Sequence, residues 1–499
     1  MIFSQSLAFD KLQGNIDFAA RSIDMDIEKD PKDGHTPDLD LIDWDEDDPD
    51  NPKNWSTTRI WSNLGIISFL RLLTPLASSM IAPVTNLILN DFKSTDSTVG
   101  SFIVSIYILG YALGPLVIAP LSEIYGRRPV YHVNNVLFVL WSLVSGFAPN
   151  VGALLAFRLL AGLAGSCPVT IGNGSIADCV KKEKRGKVTA IFTAGPLLGP
   201  VIGPIAGGAL GQYVGWRWIF WVITIVSAIS TTASFTFLEE TYEPVLLERR
   251  VAHLRTQISN PNLHHRHSNT LTKSQVLTRA IRRPLALLFT SPVVLLTSIY
   301  VGLVYGYIYL LFTSFTPLFT TTYNFTETTT GLTYLGLGIG FAIGLLILGK
   351  TSDRIVSHFS PAGEWKAEYR LLPLLPGSLL VPVGLLWYGW SAQAHVHWTM
   401  PIIGTGWVGL GTLAVFMPVQ SYLIDAFPLW AASAAAANTI LRSLAGAFVP
   451  LAGPALYRAL GQGWGNSLLA FMALAFTPLS WICFRFGGRI REMWPGRVK

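Results

Sequence analysis

Three arginines, Arg71, Arg158 and Arg442, lie inside long apolar stretches of the sequence. A charge at the centre of a membrane helix costs about 2.5 to 3.5 kcal/mol on insertion scales, so charges kept at such positions are functional candidates by default. The chemistry open to them is the passage of ions or protons through an apolar environment. We therefore assign the three residues as candidates for transport and proton coupling.

Each arginine also has a simpler interpretation. Arg71 lies about 12 Å along its helix from Asn63 at 1.5 Å per residue, so its side chain either reaches the cytosolic surface or faces a cavity, with equal support for the two. Arg158 and Arg442 could instead be held by a buried backbone carbonyl. Arg442 stands in a run of small residues, AASAAAANTILRSLAG, that would bring another helix close.

Acidic and polar candidates are fewer. Asp178 and Asp425 fall at predicted cytosolic helix ends, where a structural helix-end role is the alternative to titration. Asp425 is the first choice for a titrating carboxylate, and Gln420, Tyr422 and Tyr107 are candidates for the lining of a cavity. No acid falls at the midpoint of a predicted span. The sequence therefore does not identify the group that carries the proton.

The elements that must position these residues are apolar and helical. The 499 residues are 51% hydrophobic and 13% charged, about half the charged share of soluble domains. A bilayer core of about 30 Å requires about 20 apolar residues per helix. The sequence therefore predicts an all-α polytopic membrane protein with twelve transmembrane helices, at residues 61–83, 99–119, 131–148, 151–173, 188–210, 217–238, 287–316, 328–349, 371–390, 398–423, 434–457 and 465–486.

Charge divides the chain into segments. Residues 1–60 are acidic and predict a disordered cytosolic tail, residues 239–286 a basic cytosolic linker loop, and residues 487–499 a basic cytosolic tail. The linker separates two six-helix bundles, residues 61–238 and 287–486. Lysine and arginine concentrate in the loops on one side of the predicted spans, which places both termini in the cytosol.

The remaining polar features point to little further chemistry. The net charge of +6 follows from this topology and requires no nucleic-acid partner. The stretch HHRHSN, residues 264–269, lacks the cysteine or carboxylate spacing of a metal site and is expected to be a solvated loop. Asn324 begins the sequon Asn-Phe-Thr in a predicted outside loop and is the candidate glycosylation site. No metal and no cofactor is expected.

Glycine and proline recur at a helical period in GPLLGPVIGPIAGG, residues 195–208. Four residues nearly complete a helical turn, so these glycines line one face and let a partner helix approach closely. The eighth span carries glycine at the same period and is the expected partner. The candidate interface residues are Gly199, Gly203, Pro204, Gly207, Gly208, Gly336, Gly340 and Gly344. Because the prolines remove helical hydrogen bonds, we expect this fifth span to be bent and deformable.

The loop APLSEIYGRRPVY, residues 119–131, resembles the loop signature of the major facilitator superfamily, and LGKTSDRI, residues 348–355, resembles its weaker repeat. An acid at a cytosolic helix end can hold a guanidinium of a neighbouring helix in one conformation and release it in another. We therefore predict a cytosolic latch, with simple anchoring by positive charge as the alternative. The latch residues are Glu123, Gly126, Arg127, Arg128, Asp353 and Arg354.

Further motifs narrow the resemblance. The glycine-proline helix resembles the fifth-helix signature of proton-linked antiporters in this superfamily, and NPKNWS, GWRWIFW and QSYLIDAFP resemble its fungal branch of twelve-helix drug:proton antiporters. The resemblance implies the major facilitator fold, a proton-transfer role for Arg158, and a monomer surrounded by membrane lipid. It also implies export of a drug, polyamine or toxic secondary metabolite in exchange for protons, at the plasma membrane or an internal membrane such as the vacuole. A proton symporter for nutrient uptake is the alternative.

Enzymatic function is not expected. Residues 344–351, GLLILGKT, match the phosphate-binding pattern G-x-x-x-x-G-K-[ST], but a working loop of that kind lies between a strand and a helix. Here the first glycine belongs to a predicted membrane span. The sequence therefore favours a carrier over an ATPase.

Overall fold

The structure is a computed structural model that describes residues 40–45, 47–180, 185–265, 272–359 and 366–494. Most of the predicted acidic tail, residues 1–39, lies outside this part of the chain, as do residues 495–499 and the side chain of Asp353. Within the described residues almost all regular structure is helical.

Short polar residues start several helices of the first half. The helices are α1 (Thr57–Ser79), α2 (Thr85–Asp91), α3 (Ser97–Tyr125), α4 (Arg127–Gly146), α5 (Val151–Gly165), α6 (Cys167–Cys179), α7 (Arg185–Tyr213) and α8 (Arg217–Phe237). The side-chain oxygens of Ser56, Asp96 and Asn150 cap α1, α3 and α5 by accepting hydrogen bonds from backbone amides of the first turn.

The second half continues the same construction after a polar connection. Its helices are α9 (Glu243–Ile258), α10 (Lys273–Thr290), α11 (Pro292–Tyr323), α12 (Glu327–Leu332), α13 (Leu335–Phe359), α14 (Leu374–Gln393), α15 (Thr399–Ala426), α16 (Ala431–Phe448), α17 (Gly453–Ala475) and α18 (Thr477–Met493). Gly461 interrupts α17 with a positive φ of 69°. The residues that match the phosphate-binding pattern lie inside the continuous helix α13 and form no loop.

Within the described residues, nine helical segments are long and apolar enough to cross a membrane. They are Thr57–Asp91, Ser97–Tyr125, Val151–Cys179, Arg217–Phe237, Pro292–Tyr323, Glu327–Phe359, Ala367–Gln393, Thr399–Ala426 and Ala431–Met493. Their buried residues form the core around α11, whose aromatic side chains Phe312, Phe315 and Phe319 are fully buried. The chain is thus built on apolar helices, as the composition predicts.

The contacts divide the chain into two units, of which the larger comprises residues 52–242 and 271–499. The smaller unit comes from residues 1–51 and 243–270. In its described part, strands β1 (Leu41–Ile42) and β2 (His264–His265) pair in parallel, and Arg250 of α9 forms an ion pair with Asp48. The predicted linker loop, residues 239–286, therefore contains helix α9 and most of helix α10. His265, expected in a solvated loop, is buried and its Nε2 lies 3.1 Å from a Glu248 oxygen.

The glycine face of α7 packs against α1 of its own half, which corrects the partner that we predicted. A side chain at Gly199 would meet the backbone of Leu76, one at Gly203 would meet Ser79, and one at Gly207 would meet the Met80 carbonyl. The glycines of α13 likewise face their own half, because Gly336, Gly340 and Gly344 lie against Ile402, Gly406 and Leu413 of α15. In both helices the glycine face thus packs against a helix of its own half and not against the partner that we predicted.

The helices predicted to meet, α7 and α13, do contact each other, through neighbouring positions. Gly208 lies against the backbone of Glu327, Gly331 against the backbone of Pro204, and Gly338 against the side chain of Val201. α7 itself continues as one helix through its three prolines. Of the predicted interface residues, Gly208 and Pro204 therefore touch the second half.

Candidate transport site

Arg158 lies on α5 and is 2% exposed. Its Nε donates a hydrogen bond to the Ile103 carbonyl at 2.7 Å, and one terminal nitrogen donates to the carbonyls of Ser78 at 2.9 Å and Val104 at 3.4 Å. This is the buried carbonyl pairing that we weighed against a transport role. These hydrogen bonds join α5 to α1 and α3, so the packing of these three helices depends on the Arg158 guanidinium.

Tyr107 on α3 completes this junction. Its ring lies 5.3 Å from the Arg158 guanidinium, and its hydroxyl donates to the Thr74 carbonyl at 3.0 Å. The ring centre is 5.5 Å from that of Tyr111, one helical turn further along α3. Tyr107 is therefore a buried connection between α3 and α1.

Arg71 faces the interior of the protein. The side chain is 7% exposed, a terminal nitrogen donates to Asn173 Oδ1 at 2.8 Å, and the guanidinium lies 4.9 Å from the Phe192 ring. Its Nε is buried and has no hydrogen-bond partner among the described residues. Arg71 therefore packs among α1, α6 and α7, against Asn173 and Phe192.

Arg442 on α16 is held by aromatic rings. Its guanidinium lies 4.9 Å from the Tyr305 ring and 5.7 Å from the Phe416 ring. One turn earlier on the same helix, Asn438 donates a hydrogen bond to Gln420 Oε1 at 3.1 Å. Cation–π contact of this kind stabilises a cation by about 0.5 to 2 kcal/mol, which is less than an ion pair would supply in an apolar site.

Five of these residues, Arg71, Tyr111, Tyr305, Phe416 and Arg442, form what we call the central cluster. Arg71 is close enough to Tyr111 and Arg442 to interact with both electrostatically, and Tyr111 interacts in the same way with Tyr305. The ring centres of Tyr305 and Phe416 are 5.7 Å apart. Because α1 and α3 supply two members and α11, α15 and α16 supply three, the cluster joins the two halves near the middle of their helices.

Hydrogen bonds join the halves on one side of the cluster. We call the end of the larger unit that carries Gly126 and Asp425 the inner end, and the opposite end, which carries Gln212 and Thr328, the outer end. The Ser105 hydroxyl donates to the Ala447 carbonyl at 2.7 Å, and the Thr328 amide donates to Gln212 Oε1 at 3.0 Å. The halves are therefore in contact along the outer side in this structure.

A single carboxylate organises the inner end of the first half. Glu240 is 6% exposed, and its oxygens accept hydrogen bonds from the amides of Arg127 at 2.8 Å, Arg128 at 3.1 Å, Thr241 at 3.0 Å and Tyr242 at 3.0 Å. Negative charge at the first turn of α4 is favourable because the free amides there carry partial positive charge. Gly126, directly before this turn, has a φ of 95°, and any side chain there would collide with this carboxylate.

Arg127 binds an acid of a neighbouring helix, as a latch requires, but the acid is Asp178. Its Nε donates to Asp178 Oδ2 at 3.1 Å. Burial alone would lower the pKa of Arg127, but the Asp178 carboxylate outweighs burial and raises it. Glu123 is exposed and lies within electrostatic range of Arg127 and of Arg283 on α10, without an ion pair to any described residue. Arg128 is exposed on the first turn of α4.

The second half has a related arrangement with different charges. Arg370 Nε donates to Asp425 Oδ2 at 2.9 Å, and Arg491 of α18 forms an ion pair with Glu368 and donates to the Ala426 carbonyl at 2.9 Å. Asp425, the predicted titrating carboxylate, is therefore one partner of an ion pair. Tyr422 is buried at this inner end, 5.9 Å from the Arg491 guanidinium, whereas Gln420 faces Asn438. Arg354 is an exposed residue of α13.

Sequence reasoning missed Glu240, Glu368, Arg370 and Arg491 as parts of these inner networks. The signal for Glu240 was present, because it lies in EETYEPVLL at the end of the sixth predicted span. Its partners are 112 and 113 residues away, and spacing along one helix does not reveal such a contact. A comparison of the polar residues at the ends of different predicted spans could have identified this contact.

Comparison with known proteins places the chain in a family. A sequence model described as Major Facilitator Superfamily matches residues 67–450. The chain is 50% identical over 458 residues to the MFS transporter cpaT of Aspergillus oryzae, covering 91% of this chain and 92% of that protein. It is 42% identical over 467 residues to the efflux pump radE of Floropilus chiversii, covering 93% of this chain and 87% of that protein.

Solved structures share the fold at low sequence identity. The partially occluded inward-open xylose transporter XylE of E. coli has a TM-score of 0.64 and 16% identity, covering 85% of this chain and 98% of that one. A bacterial homologue of the human lysosomal transporter Spinster, in an inward-facing occupied conformation, has a TM-score of 0.63 and 15% identity, covering 87% and 98%. With apolar helices, a buried arginine junction and a cluster shared by two halves, the chain belongs to the Major Facilitator Superfamily and is a multi-pass membrane transporter rather than an enzyme.

Proposed function

We propose that this chain exports a small drug-like, polyamine or secondary-metabolite molecule in exchange for protons. The central cluster carries the proposal, because charged and aromatic side chains from both halves meet near the middle of their helices. Secondary transporters bind cargo at such a position, between two halves that rock against each other. The relative named as an efflux pump supports the outward direction of transport.

We infer twelve membrane crossings in two six-helix bundles, with both termini in the cytosol. The apolar run Ala431–Met493 spans 63 residues and contains the break at Gly461, so it is long enough for two crossings. Helices α4 and α7, of 20 and 29 residues, are long enough to supply the others. The distribution of lysine and arginine supports the cytosolic position of the termini.

In this proposal proton binding acts at the inner end. Protonation of Asp425 would remove its charge and weaken its ion pair with Arg370, which couples a proton to the packing of the second half. Arg158 would transmit movement between α1, α3 and α5 through its three carbonyl contacts. We propose that the protein is a monomer in the plasma membrane. We also propose Asn324 as its glycosylation site, since this residue is exposed at the end of α11.

The test is drug susceptibility and efflux in a host that lacks its own pumps. The host expresses the chain or its Arg158→Ala variant and is exposed to antifungals, polyamines and fungal metabolites, with and without a protonophore. We expect resistance with lower accumulation of at least one compound, lost on mutation and on collapse of the proton gradient. Equal amounts of wild-type and variant protein in the membrane fraction provide the control.

Two other outcomes would contradict the proposal. If the host cells stay resistant in the presence of the protonophore, the export part of the proposal would stand and the proton coupling would be wrong. Increased accumulation of one compound, or no protection against any, would favour the alternative of a proton symporter for uptake.

A further inference from the structure

Helix α10 carries positive charge without any acid of its own. Its 18 residues contain several basic side chains and no aspartate or glutamate. The basic residues are Lys273, Arg279, Arg282 and Arg283. Thr272 and Gln275 form a capping box at the start of the helix, which specifies where the helix begins. The charge therefore belongs to a regular helix and not to an irregular part of the linker.

One face of α10 packs against both halves of the protein. Leu287 and Leu288 are buried in the core, and the helix contacts α3 of the first half and α16 of the second. The guanidinium of Arg283 lies 4.7 Å from the ring of Trp430, directly before α16, which places α10 at the inner end. Glu123 of α3 is within electrostatic range of Arg283. The charge that remains unbalanced is thus on the other face.

The opposite face of α10 is exposed and combines arginine with large apolar side chains. Its exposed residues include Arg279, Arg282, Leu285 and Phe289. Steps of three and four residues place Arg282, Leu285 and Phe289 along one side of a helix. Neither Arg279 nor Arg282 forms a hydrogen bond or an ion pair with any described residue. Two uncompensated charges and two apolar side chains are therefore presented together.

The apolar end of this face lies next to a membrane-spanning helix. Only Ser291 separates α10 from α11, which begins at Pro292 and is long and apolar enough to cross a membrane. Phe289, which is 78% exposed, is therefore near the membrane boundary. At 1.5 Å per residue, Arg282 lies about 10 Å farther along the helix. An apolar side chain followed by arginines matches a phospholipid, in which acyl chains adjoin a headgroup.

A second pair of exposed arginines shows what distinguishes α10. Arg485 and Arg489 are exposed on α18, as are the rings of Trp481 and Phe486. There the exposed Glu492 follows Arg489 by three residues, so an acid and a base are neighbours on the helix surface. A negative charge beside the arginines weakens their attraction for an anion. No such acid occurs along α10.

We propose that the exposed face of α10 binds an anionic phospholipid of the leaflet at the inner end. Arg279 and Arg282 bind its headgroup, and Leu285 and Phe289 contact its acyl chains. Guanidinium groups form charge-assisted hydrogen bonds with phosphate oxygens, and helices that combine arginine with leucine and phenylalanine bind anionic membrane surfaces. An acidic protein segment would match the arginines only. This inference goes beyond the proposed export function and does not depend on it.

The test is native mass spectrometry of the purified full-length protein with added phosphatidylserine, phosphatidylglycerol or phosphatidylcholine of identical acyl chains. We expect the first molecule of either anionic lipid to bind at least about fivefold more tightly than phosphatidylcholine. One basic residue at an anionic membrane surface contributes about that much. The double variant Arg279→Gln/Arg282→Gln should lose this preference.

The matched control is Arg485→Gln/Arg489→Gln, which removes the same charge from exposed positions on α18 and should keep the preference. Glycerophosphoserine carries the headgroup without acyl chains and should not displace the bound phosphatidylserine. Thermal unfolding without added lipid tests the fold of the α10 variant. Because Arg279 and Arg282 are exposed, this variant should unfold at the temperature of the wild type.

Several results would overturn the inference. Equal binding of anionic and zwitterionic lipids, including no binding of either, would leave an acidic protein segment as the candidate occupant. A preference that the α10 variant keeps, or that both double variants lose equally, would contradict the assignment to α10. Displacement by glycerophosphoserine would indicate a site for free anions, and a lower unfolding temperature of the α10 variant would indicate structural arginines. None of these results bears on export or proton coupling, which the susceptibility panel tests.

Discussion

Glu240 is the residue whose removal should most disturb the inner end, since one carboxylate serves four backbone amides. Glu240→Gln would turn an amide NH2 toward those donors and remove the negative charge at the first turn of α4. Charged hydrogen bonds contribute about 1.5 to 3 kcal/mol, so we expect the free energy of unfolding to fall by about 2 kcal/mol. Chemical unfolding of the purified protein in detergent measures the change.

The neighbouring Glu239 provides a matched control for this substitution. Its carboxylate pairs with Arg59 at 2.5 Å, but the two side chains are 44% and 36% exposed. Exposed ion pairs contribute about 0 to 1 kcal/mol, so Glu239→Gln should change stability little. An equal loss of unfolding free energy in the two variants would show that Glu240 stabilises the protein no more than an exposed ion pair does.

For single residues, the sequence predicted a role for several side chains but not the partners that they bind. Arg127 was predicted to be a latch residue, and burial against a carbonyl was the alternative considered for Arg158. For Arg71 the alternatives were the cytosolic surface and a cavity. The partner of Arg127 proved to be Asp178, on a helix that begins 40 residues later in the chain. Local patterns determine which face of an element a residue occupies, whereas partner choice depends on how distant elements pack.

The glycine face of α7 illustrates the same limit for elements. A four-residue glycine period predicts a helix surface without side chains, and the structure shows such a surface. It packs on α1, and only adjacent positions of α7 reach α12 and α13. Helix α9 escaped prediction as well, since its polar sequence EPVLLERRVAHLRTQI has no membrane-length apolar run.

Two neighbouring glycines of α7 should therefore respond differently to alanine. A methyl group at Gly208 would meet the backbone of Glu327 in the other half, whereas one at Gly207 would meet the Met80 carbonyl in the same half. We expect Gly208→Ala to separate α7 from α12 at the outer end and to expose Thr328. Gly207→Ala should lower thermal stability without this exposure, because it displaces α1.

Labelling of a Thr328→Cys reporter by a membrane-impermeant thiol reagent measures the separation. The native cysteines, Cys167, Cys179 and Cys483, are buried and should contribute little background. Gly349→Ala serves as the control, because a methyl group there meets no heavy atom within 4 Å. Faster labelling with Gly207→Ala than with Gly208→Ala would contradict the assignment of the two contacts.

For the whole molecule, alternating access requires that the closed outer end open in each cycle. The Thr328 amide and the Gln212 side chain are in hydrogen-bond contact across the two halves. We expect the double variant Gln212→Cys/Thr328→Cys, joined through disulfide bonds by a short bis-methanethiosulfonate reagent, to lose transport and to recover it when those disulfides are reduced. Each single variant treated with the same reagent is the control.

Retained transport after crosslinking would show that the outer end does not need to separate. Such a result would contradict rocking of the halves while leaving the fold unchanged.

The overall architecture was more predictable than the site, for a physical reason. A bilayer imposes helix length and apolar composition on each crossing, so the twelve predicted spans fall largely on helices of the structure. Arg442 shows why the site was harder. Its apolar surroundings in sequence marked it as unusual, but only the folded chain shows that the rings of Tyr305 and Phe416 lie beside its guanidinium.

Arg71 and Arg442 are positive charges within two apolar helices, so a transport step that moves them across the membrane field should depend on the membrane potential. An elementary charge that moves across the full membrane field changes energy by about 2.3 kcal/mol per 100 mV. With the inside negative, the field pulls the positively charged empty site toward the cytosolic face. A transport step that carries these charges toward the cytosolic face would then be faster in hyperpolarised cells.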